Sequence, residues 1–313
     1  SVCITGALWY VMKTKVNKEA DMMIGKICGT GSSIPVKIMD NDDLSNMVDT
    51  NDAWIRERTG VEKRHIAESE STVSMAVEAG RRALAQTGIR PEELDMIVVS
   101  TMSPDAVLPC TACEVQKAIG AEGAVCFDLQ AACTGFVFAY NTAQAYIQSN
   151  MCRTVLLIGS ERLSRLVDWT DRGTCILFGD GAGAAVLKAA EGRAYLPVSH
   201  SDGKKGEALT CDRYIHMDGR AVFQFAVTRV PEVIREVLTK NELLMDDIDY
   251  FVLHQANRRI VEAVAKRLRQ PIEKFPMNLQ EYGNTSSASI PILLDEMNRS
   301  GKLKKGQKLV VAG

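Results

Sequence analysis

Apolar residues along this chain alternate between two periods. From Ser74 to Thr87 they recur at helical spacing, at Met75, Ala76, Ala79, Ala83 and Leu84, which predicts an amphipathic helix. A Pro-Glu-Glu loop follows. The run Asp95-Met96-Ile97-Val98-Val99-Ser100 then reads as a buried strand. The same succession returns later: Phe225 to Leu238 is helical in pattern, Met245 to Ile248 is a loop, and Asp249-Tyr250-Phe251-Val252-Leu253-His254 is strand-like. A second pair of segments repeats as well. Cys133 precedes the helix-like stretch Gly135 to Ser149 and the strand-like Thr154 to Gly159. Asn284 precedes the helix-like Ser287 to Asn298 and the strand-like Lys308 to Gly313. The step from Cys133 to Val155 is 22 positions, and from Asn284 to Lys308 it is 24. This weak duplication predicts an α/β protein of two βαβ-rich halves. Parallel, nearly continuous apolar strands should be covered by helices, with functional residues at strand ends and helix starts. Cys133 and Asn284 are expected at corresponding places, so that a site straddles the two halves.

The expected organisation is an N-terminal extension over 1–22, a first half over 23–195 that carries the nucleophile, and a second half over 196–313. The first half contains a further loop and strand, Phe178 to Leu187. The second half reaches Gly313 before any counterpart, so a final loop and strand are expected beyond the residues given.

Composition narrows the class. The chain has 313 residues, 46% hydrophobic and 24% charged, which suits a globular protein with one large or two medium domains. A net charge of −2 argues against general nucleic-acid binding, and an acidic partner would need a local basic patch. Nine cysteines are scattered, mostly within apolar runs, which points to a reducing, cytosolic compartment and not to a disulfide scaffold. Cys110 and Cys113 form a C-x2-C, but no second pair follows at zinc-site spacing and the chain has four histidines, so no metal is expected. The apolar stretch Ile4 to Met12 is far shorter than the ~20 residues of a membrane span. Its positive charges follow it, the reverse of a signal peptide.

Three residues could carry chemistry. Cys133 lies in Gln130-Ala131-Ala132-Cys133-Thr134-Gly135-Phe136, among small residues and just before a helical pattern. The positive end of a helix dipole favours a thiolate, which suits a thioester-forming nucleophile; a buried free cysteine is the plainer alternative. His254 ends an apolar strand and is followed by Gln255-Ala256-Asn257, which fits a site residue or a hydrogen-bonded core histidine equally. Asn284, in Tyr282-Gly283-Asn284-Thr285-Ser286-Ser287-Ala288, reads alone as a helix cap.

Together these segments resemble the beta-ketoacyl-acyl-carrier-protein synthase III family of bacterial and plastid type II fatty acid synthesis. The resemblance runs from about Met23 to Gly313. Its motifs stand here as Gly29-Thr30-Gly31-Ser32, Trp54-Ile55-Arg56-Glu57-Arg58-Thr59-Gly60, Ala131-Ala132-Cys133, Phe178-Gly179-Asp180-Gly181-Ala182-Gly183, His254-Gln255-Ala256-Asn257 and Gly283-Asn284-Thr285-Ser286. Elongating synthases and thiolases have a second histidine where this chain has Asn284, which favours the initiating class.

The resemblance implies a thiolase-like five-layered αβαβα fold and a homodimer in the cytoplasm, or in the plastid stroma of a plant or alga. It implies an acyl-Cys133 intermediate, with His254 and Asn284 donating to the thioester oxygen of a malonyl group as it decarboxylates. Coenzyme A would be held by Trp54, Arg58, Arg172, Phe223 and Asn257, and an acidic acyl carrier protein by Gln255, Arg258, Arg259 and Lys266. Leu108, 25 positions before Cys133, stands where acetyl-primed relatives often carry a phenylalanine, so somewhat longer or branched primers fit. The oxyanion hole for acyl-Cys133 is expected to need a glycine-rich loop beyond Gly313. No metal or bound cofactor, no nucleic acid and no membrane is implied. The rival readings are a secondary-metabolism synthase of polyketide or quinolone type, an acyl-CoA thioester hydrolase, and a non-catalytic acyl-CoA-binding scaffold.

Overall fold

A computed structural model describes residues 22–313. The expected extension 1–22, with the apolar stretch Ile4 to Met12, lies outside the described residues except for Met22. The strands are β1 (Met22–Ser33), β2 (Ile38–Asp40), β3 (Lys63–His65), β4 (Met96–Ser100), β5 (Val125–Leu129), β6 (Thr154–Glu161), β7 (Gly181–Gly192), β8 (Leu209–Cys211), β9 (Ile215–Met217), β10 (Tyr250–Leu253) and β11 (Leu309–Ala312). The helices are α1 (Asn41–Ser45), α2 (Asp52–Thr59), α3 (Thr72–Ala85), α4 (Thr111–Ile119), α5 (Gly135–Gln148), α6 (Arg172–Cys175), α7 (Gly219–Lys240), α8 (Arg258–Leu268), α9 (Leu279–Tyr282) and α10 (Ser289–Arg299).

One sheet has the order β1-β7-β6-β4-β5. Strands β4, β5 and β6 are parallel, while β7 runs antiparallel to its neighbours β1 and β6. A second, two-stranded sheet pairs β10 with β11 in parallel. The apolar run of β4 is buried on both faces, with Met96, Ile97, Val98 and Val99 fully enclosed. Both faces are enclosed because helices cover both. Helices α3 and α4 form one core with Ile97, Val99, Leu156 and Ile158. Helices α5 and α10 form the next core with Met96, Val98, Val155, Leu157 and Val252. Helices α7 and α8 close a third against Phe251, Leu253 and Val310. The layers therefore run helix, sheet, helix, sheet, helix, as the resemblance implies.

The predicted elements form, with shifts at their ends that have local causes. Helix α7 starts six residues before the expected Phe225, because the Asp218 carboxylate accepts from the main-chain N–H groups of Arg220 and Ala221 and fixes the first turn. Ser287 and Ala288, expected as helix, belong to a 3-10 turn, Ser286–Ala288, ahead of α10. Among the described residues no helix is long and apolar enough to cross a membrane.

The halves interlock through α10. A Cβ on Gly183 would lie 2.5 Å from the Ile292 nitrogen, so only glycine lets β7 and α10 pack backbone to backbone. The buried Asp295 carboxylate on α10 then accepts from the hydroxyls of Thr30 (2.8 Å) and Ser32 (2.6 Å) on β1.

Candidate active site

Cys133 follows β5 and sits in the 3-10 turn Ala132–Thr134 that opens onto α5. Ala132, just before it, has φ +45°, the left-handed region that a residue with a Cβ rarely enters. That twist converts strand to helix within a few residues and leaves Cys133 partly exposed at the head of α5. The second half builds the same device. Ser286 has φ +48° and opens the 3-10 turn Ser286–Ala288 ahead of α10, and the two turns pack against each other.

This match shifts the expected correspondence. Each turn starts three residues before its helix, so Cys133 corresponds to Ser287, and Asn284 falls opposite Gln130. The spacing of apolar runs is a coarse ruler that misses an offset of three residues. Asn284 still joins the site, because its main chain bridges the first half. Its N–H donates to the Leu177 carbonyl at 2.8 Å, and its carbonyl accepts from Gly179 N–H at 3.1 Å. The Asn284 Oδ1 accepts from Ser286 N–H at 2.8 Å, which leaves the Nδ2 hydrogens as the group it can present.

His254 stands at the C-terminal end of β10, where its N–H donates to the Ala312 carbonyl at 2.8 Å and extends the register with β11. The Nδ1 lies 2.7 Å from the Ser289 hydroxyl. The Nε2 is buried and has no hydrogen-bond partner among the described residues. Gly313, at the end of β11, is seated against the nucleophile turn: a Cβ there would come within 3.1 Å of the Cys133 carbonyl oxygen. The C-terminal end of β11 thus meets the Cys133 turn, at the strand ends where ligand sites of α/β proteins lie.

Electrostatics give a neutral resting site. Burial lowers the His254 pKa to about 4, so the imidazole is uncharged at neutral pH. Burial also pushes the Cys133 thiol up to about 11, and the nearby Glu161 carboxylate adds to the rise. The Ser286 hydroxyl, buried and otherwise unpartnered, pulls the thiol partway back. The expected helix-dipole lowering therefore does not prevail: desolvation of a full negative charge outweighs the fractional charge of a helix end. Glu161 is itself fully buried. It accepts from Ser103 Oγ at 2.5 Å, Ser287 Oγ at 2.8 Å, Met102 N at 3.1 Å and Thr101 Oγ1 at 3.2 Å, and burial still raises its pKa. It links the end of β6 to the turn before α10. Sequence reasoning missed Glu161, Ser286 and Ser289. An acid closing an otherwise apolar strand was the available signal for the first, and the density of hydroxyls after Asn284 for the other two.

The residues expected to hold coenzyme A meet at α2. The guanidinium groups of Arg58 and Arg172 lie over the Trp54 ring, 5.8 and 4.9 Å from its centroid. Asn257 caps α8 by accepting from Arg259 N–H, and its Nδ2 donates to the Arg58 carbonyl at 3.1 Å, which ties α8 to α2. Phe223 lies on α7 beneath the Arg259 guanidinium, 5.3 Å away.

The expected carrier-binding set divides. Arg259 and Lys266 are exposed on α8. Arg258 turns back to donate to the Gly60 carbonyl at 3.3 Å. Gln255 is 1% exposed, with its amide bonded to the Leu253 carbonyl and Asn278 N–H, so it cannot touch a docked protein. Its place just after a strand end turns it into the core. Leu108 is 82% exposed on the surface of its own chain. A cavity of about 530 Å³ between Pro276, Leu293 and Lys302 shares no lining residue with the Cys133 site.

The comparisons with known proteins agree with this geometry. Residues 127–203 match the family described as 3-Oxoacyl-[acyl-carrier-protein (ACP)] synthase III, and residues 238–313 match its C-terminal part. The beta-ketoacyl-[acyl-carrier-protein] synthase III of Clostridium novyi (strain NT) is 47% identical over 305 residues, covering 92% of this chain and 94% of that protein. The crystal structure of 3-oxoacyl-[acyl-carrier-protein] synthase III from Aquifex aeolicus VF5 superposes with a TM-score of 0.90 at 44% identity, over 92% of this chain and 95% of that one. The priming beta-ketosynthase of the R1128 polyketide biosynthetic pathway gives a TM-score of 0.89 at 35% identity, over 93% and 92%. Fold and site together define an acyl-transferring condensing enzyme of the thiolase fold. Within that class, the chain belongs to the 3-oxoacyl-acyl-carrier-protein synthase III family, whose members initiate fatty acid synthesis.

Proposed function

We propose that this chain joins an acyl-CoA primer, with acetyl-CoA expected first, to malonyl-acyl-carrier protein, releasing coenzyme A, carbon dioxide and a 3-oxoacyl-carrier. The Cys133 sulfur attacks the primer thioester, and the thiol proton ends on the departing coenzyme A sulfur. The malonyl group then loses carbon dioxide, and negative charge grows on its thioester oxygen. His254 Nε2–H and the Asn284 amide donate to that oxygen. The carbanion attacks the acyl-Cys133 carbonyl, and the freed sulfur takes a proton from solvent. The observation that carries this reading is Asn284, whose Oδ1 already accepts from Ser286 N–H, which fixes the amide so that Nδ2 is the donor end it presents. A neutral His254 supports it, since an imidazolium would protonate the carbanion.

On this reading the indole of Trp54, with Arg58 and Arg172 beside it, holds the coenzyme A nucleotide. Phe223 and Asn257 line the way towards Cys133. Arg259 and Lys266 dock the acidic carrier. The chain acts as a homodimer in the cytoplasm: among the described residues β5 is an unpaired sheet edge, its first residue Val125 is exposed, and Leu108 is exposed as well. Leu108 then faces the partner's primer pocket. The chemistry calls for no metal or bound cofactor, because coenzyme A enters as the substrate thioester.

The test is intact-protein mass spectrometry after incubation with acetyl-CoA, followed by addition of malonyl-carrier. One acetyl group on Cys133 and then 3-oxoacyl-carrier are expected. An acetyl-enzyme that only hydrolyses would identify a thioester hydrolase. The likeness to the R1128 priming synthase favours a second reading, priming of a secondary-metabolism pathway. A panel of primers from about two to eight carbons separates the two, since one methylene in a pocket is worth only ~1–3 kcal/mol and broad use would show plainly.

A further inference from the structure

His254 has two ring nitrogens and, when neutral, a single ring hydrogen, so it can serve as a donor through Nε2 only if Nδ1 is bare. What decides between the two tautomers is the atom facing Nδ1. That atom is the hydroxyl oxygen of Ser289, 2.7 Å away. Ser289 is the first residue of α10 and is buried at 2% exposure.

The partners around this hydroxyl leave one consistent arrangement. Its oxygen also accepts from Gln255 N–H, at 3.3 Å. The Gln255 nitrogen can only donate, so the hydroxyl hydrogen must point elsewhere. Among the described residues Ser289 Oγ has no other partner within hydrogen-bond distance, which makes His254 Nδ1 the acceptor. The opposite tautomer, with hydrogen on Nδ1, would spend that hydrogen on Ser289 and strand the hydroxyl hydrogen in a buried place without an acceptor. It would also aim the bare Nε2 lone pair at the point where the substrate oxygen gathers negative charge. The main-chain N–H of His254 is already bonded to the Ala312 carbonyl, so it does not compete. Nε2, buried and unpartnered in the free protein, is the atom left for substrate.

We propose that Ser289 is a positioning residue: by donating to His254 Nδ1 while accepting from Gln255 N–H, it holds His254 in the Nε2–H form that can donate to the malonyl thioester oxygen. The proposal rests on the condensation assigned above and adds an asymmetry to it. An Nε2–H histidine cannot take the Cys133 thiol proton, so acylation does not use His254 as its base, and Ser289 matters to the second half-reaction alone.

Two measurements on the full chain test this. Nitrogen-15 NMR of histidine-labelled protein, with His254 assigned by the signal lost in His254→Asn, should show Nε2–H in the wild type and a mixture of tautomers in Ser289→Ala. Kinetics of Ser289→Ala should show acetylation of Cys133 within about twofold of wild type, and kcat for condensation lowered about tenfold, the scale of one hydrogen bond. An Nδ1–H signal in the wild type overturns the proposal, as does a variant that loses acetylation and condensation equally or neither. A wild-type protein that never acetylates Cys133 would instead overturn the condensation reading.

Discussion

At the scale of single residues, the site is neutral at rest. Cys133 is a thiol because burial and Glu161 disfavour its charge, and His254 is uncharged because burial disfavours the imidazolium. The two groups shift in opposite directions for the same reason, the cost of charge away from water. The thiolate is the form that reacts with alkylating agents. With the thiol pushed up to about 11, its fraction rises with pH throughout the neutral range. The rate at which iodoacetamide modifies Cys133 should therefore climb about tenfold per pH unit from roughly pH 7 to 10, a slope readable by timed mass spectrometry. A plateau near pH 7 would mean a preformed thiolate–imidazolium pair and would sink the neutral resting state. For Asn284, replacement by Asp keeps the shape and exchanges donors for acceptors. Asn284→Asp should leave Cys133 acylation partly intact and cut condensation by about 10²–10³, the scale of one lost oxyanion donor. Condensation near the wild-type rate would remove Asn284 from the mechanism.

At the scale of elements, α8 joins the residues proposed for coenzyme A to those proposed for the carrier. Its N-cap Asn257 is tied to the end of α2, which carries Trp54 and Arg58, while its exposed face carries Arg259 and Lys266, seven positions apart and so on one side. Arg269 is the left-handed cap that ends the helix. Arg259→Glu should raise KM for malonyl-carrier about tenfold at low salt and less at high salt, with acetyl-CoA-dependent acylation unchanged. Carrier kinetics indistinguishable from wild type would place docking elsewhere. The helical and strand periods were legible here because each of these elements buries one face against its own layer. Which polar residues face out was less legible. Gln255 sits among basic neighbours in sequence, yet its amide closes hydrogen bonds inside the core.

At the scale of the whole molecule, the active site depends on how closely the two halves approach. Gly183 lets α10 lie against β7, and the Thr30, Ser32 and Asp295 hydrogen bonds hold it there. A methyl group on Gly183 must displace the Pro291–Ile292 backbone, and overpacking of that kind costs ~1–3 kcal/mol. Gly183→Ala should lower the thermal midpoint by several degrees in circular dichroism and reduce condensation, because Ser289 and the Ser286 turn ride on the same helix. A variant as stable and active as wild type would show that the halves tolerate separation.

The two βαβ-rich halves and the strand and helix periods could be read from the sequence, because they rest on local periodicity. Cys133, His254 and Asn284 were brought together there only by the family resemblance, since each alone fits a plainer role. Only the tertiary structure decided the three-residue offset between the halves, the charge state of Cys133, the burial of Gln255, and the roles open to Glu161, Ser286 and Ser289. Each of these depends on contacts between residues far apart in the chain, where desolvation and the geometry of a single hydrogen bond leave no trace in the pattern of apolar and polar positions.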